Sequence, residues 1–418
     1  MSRSAWLALI ALAATPAAAR DPSPAHAWAT AWASAQQMPD ARNALPADPS
    51  AATTFRQVVR VTAGGRELRI RLSNVFGTAP LAVAGVHVAV SVGPGSAAIR
   101  PGSDHSVLFA GTAAATVPAG ADYWSDPVAL PVGAGDSLAV SMRLAVPGTQ
   151  QTIHSASHAT SFIAAGDRLA APDLPGAIRI EHWGFLSGID VAPDRSTQGI
   201  VAFGDSITDG SWSTTDANGR WPDILADRLR TRRQGGAAVL NLGIGGNRLL
   251  LDGNGPNALS RFDRDVLAQS GTSVLIVLEG INDIGTLTRD APVGADRHRA
   301  LVAQMIAAYR QIVARGHRHG LTVLGGTLLP FGGATNYHPD AANEADRTVV
   351  NEWIRTAGAF DGVIDFDRMV GDPAHPDRLL PAYDSGDHLH PSPAGYRRMG
   401  EGIPLVLFDR TARATTTR

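Results

Sequence analysis

The chain has 418 residues, long enough for more than one hydrophobic core, and 44% of them are hydrophobic against 18% charged, the balance of an ordinary globular protein. A formal net charge of −2 provides no electrostatic footprint for nucleic acid or a strongly anionic surface. Cysteine is absent, which excludes disulfides and a thiol nucleophile and leaves covalent chemistry to Ser, Thr, Asp, Glu, Lys, His or Tyr.

Residues 1–19 read as an export segment: Arg3 supplies positive charge, "AWLALIALAAT" an apolar stretch, and "AAA" at 17–19 a small-residue cleavage site. Cleavage near Ala19 would leave the protein secreted or periplasmic. The apolar stretch is too short to span a bilayer, so no stable membrane insertion is expected. From 20 to 195 the rhythm is near two: "FRQVVRVT", "RELRIRLSN", "LAVAGVHVAVSV" and "SLAVSMRLAV" alternate with "AGG", "GTAP", "GPG" and "VGAGD". Short strands at this spacing predict an all-β sandwich, jelly-roll-like. A linker is expected around "DVAPDRSTQ" at 190–198.

From 196 to 410 the pattern becomes strand then helix. The apolar runs "GIVAFG", "AAVLNLG", "SVLIVLEG", "LTVLGGTLL" and "GVIDF" alternate with "WPDILADRLRTR", "NALSRFDRDVLAQ", "RHRALVAQMIAAYRQIVARG", "EADRTVVNEWIRTAG" and "PAGYRRMGEGIPLVLF". This predicts a parallel sheet with helices on both faces, with ligands beyond the carboxyl ends of the strands. Residues 411–418 read as a polar tail.

The segments just beyond the strands carry the chemistry. The first strand ends in Gly204-Asp205-Ser206. The second runs into "NLGIGGNR", the third into "GINDIG" with Asn282 and Asp283 expected in a tight turn, and "DSGDHLHPS" precedes the last helix. A serine hydroxyl needs a base to take its proton, and a histidine base needs a carboxylate to fix its tautomer. Asp387 and His390 are close enough in one loop to pair. Gly246 can offer a backbone N–H and Asn282 an amide to an oxyanion.

In this order, "GDSITDG", "GIGGN", "GIND" and "DHLH" resemble the signature blocks of the GDSL, or SGNH, hydrolase family of esterases and lipases, over residues 199 to about 410. The resemblance implies a flavodoxin-like three-layer α/β/α domain and ester hydrolysis without a cofactor or metal. Ser206 would be the nucleophile, His390 the base and Asp387 its orienting carboxylate. The Ser206 N–H, the Gly246 N–H and the Asn282 side chain would form the oxyanion hole. "NLGIGGNRLL" and "TFRQVVRVTAGGRELRIRLSNVFGTAPL" further resemble a subgroup of xylan-cluster acylhydrolases. The second block reads Gly-Gly-Asn where many relatives have Ser-Gly-Asn, so the donor glycine stays open between Gly245 and Gly246. Thr208 breaks the G-x-S-x-G of an α/β-hydrolase elbow.

Other residues have competing readings. His388 and Asp384 are the rivals of His390 and Asp387. Asp205, Asp209 and Asp283 are expected to brace turns, and Asn247 and Arg248 either line the cleft or lie on the surface. Trp212 and Trp221 either stack on a sugar or pack between the two halves. A metal held by Asp384, Asp387, His388 and His390 would leave the serine block unexplained. The polar "GSWSTTDANGRW" after the nucleophile predicts an acetyl-type ester of a carbohydrate, small or polymeric, as substrate. The rivals are a carbohydrate-binding protein on a non-catalytic scaffold and a longer-chain lipase. The sequence is silent on oligomeric state.

Overall fold

The computed structural model describes residues 28–45, 53–144, 151–233 and 236–409. The expected export segment and polar tail lie outside them. Among the described residues up to Val191, every helix-or-strand element is a strand. One antiparallel sheet takes Ala29–Ala33, Leu186–Val191, Leu68–Ser73 and Asp122–Trp124 in that spatial order. The other is built around Thr53–Arg60, Ser137–Leu144 and Leu81–Val90. Alternation sends Leu68, Ile70 and Leu72 of the first sheet inward, where they meet Val86, Val88, Leu138, Val140 and Met142 of the second in one core. The result is a β-sandwich.

The parallel sheet comes next along the chain. Its strands are β1 (Gln198–Gly204), β2 (Ala237–Gly243), β3 (Thr272–Leu278), β4 (Thr322–Gly326) and β5 (Gly362–Ile364), in the order β2-β1-β3-β4-β5. All seven residues of β1 are buried, as expected for a strand covered on both faces. Helix α1 (Ser206–Asp209) follows β1, and α2 (Trp221–Arg233) packs with Pro393–Gly402 on one face. On the other, Ala295–Arg318 packs with Ala341–Thr356. The strand order reverses at β1, so the crevice at its carboxyl end is the topological switch point.

Three local expectations change. "GIND" is the start of a helix, Ile281–Thr288, rather than an isolated turn. Gly280 at φ 123° makes the corner and lets the helix begin at once. The segment after Asn257 is helical only to Phe262 and continues as a π turn, Asp263–Leu267. The last helix stops at Gly402, because Pro404 cannot donate to the ladder, and a 3₁₀ turn Leu405–Phe408 comes after it.

The halves share an extensive boundary. Edge strand β2 lies against the sandwich, where the Thr62 hydroxyl donates to Val239 O at 3.0 Å and accepts from Val239 N at 3.1 Å. Ala238 belongs to the sandwich core. Polar links cross nearby, including Arg60–Asp227 at 2.5 Å, Arg71 to Gln269 at 3.0 Å and Ser270 to Asp190 at 2.8 Å.

Candidate active site

The carboxyl end of β1 is shaped so that a serine stands clear of it. A Cβ on Gly204 would strike the Leu278 carbonyl and the Thr208 hydroxyl, so only glycine lets the chain pass. Asp205 is the N-cap of α1, its carboxylate accepting from Ile207 N at 2.9 Å. Ser206 is the first helical residue, where a backbone N–H has no intrahelical acceptor. Gly210 at φ 108° ends the turn and returns its N–H to Ser206 O at 2.8 Å.

The loop before the last helix brings a histidine onto this serine. Ser206 Oγ lies 2.7 Å from His390 Nε2, and His390 Nδ1 lies 2.6 Å from Asp387 Oδ2. A carboxylate only accepts, so Nδ1 carries a proton and Nε2 is free to accept from the serine hydroxyl. Asp387 is held from several sides. Its Oδ1 accepts from Ser385 Oγ, Leu389 N and His390 N at 2.9, 3.0 and 2.9 Å, and its Oδ2 also accepts from Trp212 Nε1 at 2.8 Å. Burial alone would raise this carboxyl, but the bonds from His390 outweigh it and hold it well below the usual range. The rival pair, Asp384 and His388, bonds to itself at 2.6 Å with His388 half exposed.

A buried amide stands in the first turn of the helix Ile281–Thr288. Asn282 is 1% exposed, and its side chain lies 2.7 Å from the Asn247 carbonyl and 2.6 Å from Tyr337 OH. A carbonyl cannot donate, so the amide nitrogen faces Asn247 and Tyr337 donates to Oδ1. Burial pushes the Tyr337 phenol up to about 12, so it remains a donor at any ordinary pH. Gly246 adopts φ 71°, which its lack of a side chain permits.

Beneath Ser206 sits an acidic group around one arginine. Arg261 is 1% exposed and bonds to Asp265, Asn247 Oδ1 and the carbonyls of Leu242 and Gly204. Its guanidinium is 4.0 Å from the Phe203 ring centroid and 3.5 Å from Glu279. Burial pushes Asp205 up to about 7 and Asp283 to about 6, and Glu279 well above its ordinary value. Asp283 also accepts from Leu249 N at 2.8 Å and Leu250 N at 3.1 Å, so it pins the loop after β2.

The remaining candidates divide. Trp221 is fully buried against Phe366, with ring centroids 5.3 Å apart, inside the parallel-sheet half. It can neither stack on a ligand nor pack between the halves. Asn247 does not line a cleft with its side chain, which is buried and bridges Pro256 O and Arg261. Arg248 is half-buried, donates to Asp252 O and lines a second cleft of about 570 Å³ together with Leu250, Leu251, Asp283 and Gln304. Trp212 is 62% exposed at φ 67°, and its N–H holds Asp387. Next to the Gly245–Gly246 turn, a cleft of about 490 Å³ is lined by Asp40, Arg42 and Asn43 of the sandwich half and by Gly245, Asp252 and Asn254. The roles of Trp212, Tyr337 and Arg261 have no local signal in the sequence, because each depends on a contact between distant segments.

Among known proteins, the family model described as GDSL-like Lipase/Acylhydrolase matches residues 202–398. No curated protein matches the chain. Solved structures align with about half of it. A protein of the G-D-S-L family from Desulfitobacterium hafniense DCB-2 is 22% identical, covering 49% of this chain and 96% of that one with a TM-score of 0.37. An acetylxylan esterase from Geobacillus stearothermophilus is 21% identical, covering 51% and 95% with a TM-score of 0.38. A GDSL-like lipase from Bacteroides thetaiotaomicron is 19% identical, covering 50% and 87% with a TM-score of 0.36.

Proposed function

We propose, from the match of residues 202–398 to the model of the GDSL-like lipase/acylhydrolase family, a serine esterase working through Ser206, His390 and Asp387. Ser206 Oγ attacks the acyl carbon while its proton passes to His390 Nε2, and Asp387 holds the ring in the required tautomer and stabilises the imidazolium. The carbonyl oxygen becomes an oxyanion facing the N–H groups of Ser206 and Gly246 and the amide of Asn282. Collapse expels the alcohol, which takes the proton from Nε2. Water then hydrolyses the acyl-enzyme by the same steps in reverse. The reading rests on the continuous line from serine to histidine to carboxylate at 2.7 and 2.6 Å.

The substrate proposed is a short, acetyl-type ester of a sugar or other polyol. The cleft beside Gly245 has carboxylate and amide groups on both walls and the Arg42 guanidinium on one, which suit hydroxyls better than an alkyl chain worth about 0.8 kcal/mol per buried CH₂. We further propose that residues 1–19 direct export and are removed near Ala19, so the enzyme meets its substrate outside the cytoplasm. N-terminal sequencing of the exported protein tests this.

The main test is Ser206→Ala with 4-nitrophenyl acetate, alongside labelling by an organophosphonate. Loss of hydrolysis and of labelling in a folded variant is expected. Retention of more than a few per cent of activity removes Ser206 from the mechanism. A kcat/KM that rises steadily from C2 to C12 esters would overturn the short-chain reading in favour of a lipase.

A further inference from the structure

One buried charged pair lies outside the catalytic line and crosses from the sandwich to α1. His154, in the strand Ile153–His154, is 2% exposed. Its Nδ1 lies 2.8 Å from the Ala35 carbonyl oxygen and its Nε2 lies 2.9 Å from Asp209 Oδ1. A carbonyl oxygen accepts and does not donate, and the same holds for an ionised carboxylate. Both ring nitrogens therefore donate, which requires an imidazolium. Its face lies against Trp183, centroids 5.5 Å apart and planes at 28°, a contact that favours a cation.

Asp209 is the last residue of α1, and its N–H closes the turn on Asp205 O at 2.9 Å. A four-residue helix cannot hold its own shape. The height and tilt of Ser206 are fixed by the groups that grip this turn. Asn241 holds Thr208 O at 2.7 Å from the β2 side, and His154 holds Asp209 from the sandwich side.

We propose that His154 is a positioning residue: as an imidazolium it clamps Asp209 and so sets the turn that aims Ser206 at His390. The proposal rests on the reading of Ser206 as nucleophile. A misplacement of about 1 Å at a reacting group can cost on the order of 10²-fold in rate, so a clamp on this turn acts on kcat. The titratable and charged groups around the pair are Arg220, just before α2, with its partner Asp223, and His158, whose charged form burial disfavours, with Glu181 acting on it. Burial would lower the imidazolium, but the charge and hydrogen bond of Asp209 outweigh it and hold His154 above its ordinary value. Arg220 pulls the other way. The clamp is therefore closed below that raised value and opens as pH rises through it.

The test compares His154→Gln and Asp209→Asn with the unmodified full-length protein, using kcat per organophosphonate-titrated site. In both variants kcat per site should fall about tenfold or more while KM stays within about twofold. The double variant should be no worse than the poorer single one, because both remove the same contact. In Asp209→Asn the alkaline decline of kcat should move down by about one pH unit or more. Should His154→Gln fail to fold, the near-isosteric Asp209→Asn carries the test. An unchanged kcat per site with only a lowered Tm would reduce the pair to a structural tie and sink the proposal. Failure of the unmodified protein to be labelled at Ser206 would instead overturn the nucleophile reading.

Discussion

Asn282 and Tyr337 show how a single side chain gains a direction. An unrestrained amide can present either oxygen or nitrogen to a ligand, and only the nitrogen stabilises an oxyanion. The Asn247 carbonyl and the Tyr337 hydroxyl together leave one orientation. Asn282→Ala should lower kcat by on the order of 10²–10³ with a smaller change in KM, since the oxyanion exists only in the transition state. Tyr337→Phe should cost less, about tenfold, because the donor remains while its orientation is loosened. Steady-state kinetics on 4-nitrophenyl acetate check both, and an effect confined to KM would make Asn282 a ground-state binding group. Ser206, Asp387 and His390 are visible in the sequence because each sits in a short block of turn-forming residues. Trp212 and Tyr337 are not, since they meet their partners across 175 and 55 positions of chain.

At the scale of elements, the ends of β1 and β3 place three carboxyls in the interior. Asp205 is pushed up to about 7 and Asp283 to about 6, in each case chiefly by burial. Between about pH 4 and these values the folded chain binds protons that the unfolded chain has lost, so these groups make stability fall as pH rises, at up to about 1.4 kcal/mol per pH unit for each. His154 acts in the same sense at higher pH. Its raised value gives stability that is full below the unfolded pKa and is lost as pH rises through the folded one. Asp205→Asn retains a good N-cap and should flatten the curve, so that urea midpoints at pH 5 and pH 8 differ less than in the parent. An unaltered difference would mean that Asp205 is not protonated in that window. The alternation of strand and helix is readable from periodicity alone. The helix carrying Asn282 is not, because it starts directly at a left-handed glycine with no cap residue to announce it. Nor is the π turn after Phe262, where the apolar spacing of an α-helix continues although the backbone has changed.

For the whole molecule, the change of rhythm near residue 196 is plain in the sequence, whereas the dependence of one half on the other is not. The turn carrying Ser206, the proposed nucleophile, is held through Asp209, and the loop after it is held through Asp216, which accepts from Thr160 N and Oγ1 at 2.7 and 2.6 Å. That loop carries Trp212, which in turn holds Asp387. Breaking one partner of a buried ion pair typically costs about 3–5 kcal/mol, so His154→Ala should lower Tm clearly, by several degrees in a calorimetric scan. Because so many bonds cross the boundary, that scan should show one transition for both halves, and two resolved peaks would contradict a shared core.

The covered edge strand has a consequence for how the protein can be divided. Ala238 is fully buried because the sandwich core lies over its side of β2. With residues 1–195 removed, β2 would present a seven-residue, largely apolar edge with unpaired N–H and C=O groups, a template on which a second copy can add its own strand. Residues 196–410 expressed alone should therefore self-associate into insoluble material rather than yield a soluble, inactive monomer. Replacing Ala238 with lysine in that fragment should recover solubility without recovering esterase activity, as sedimentation and hydrolysis assays would show.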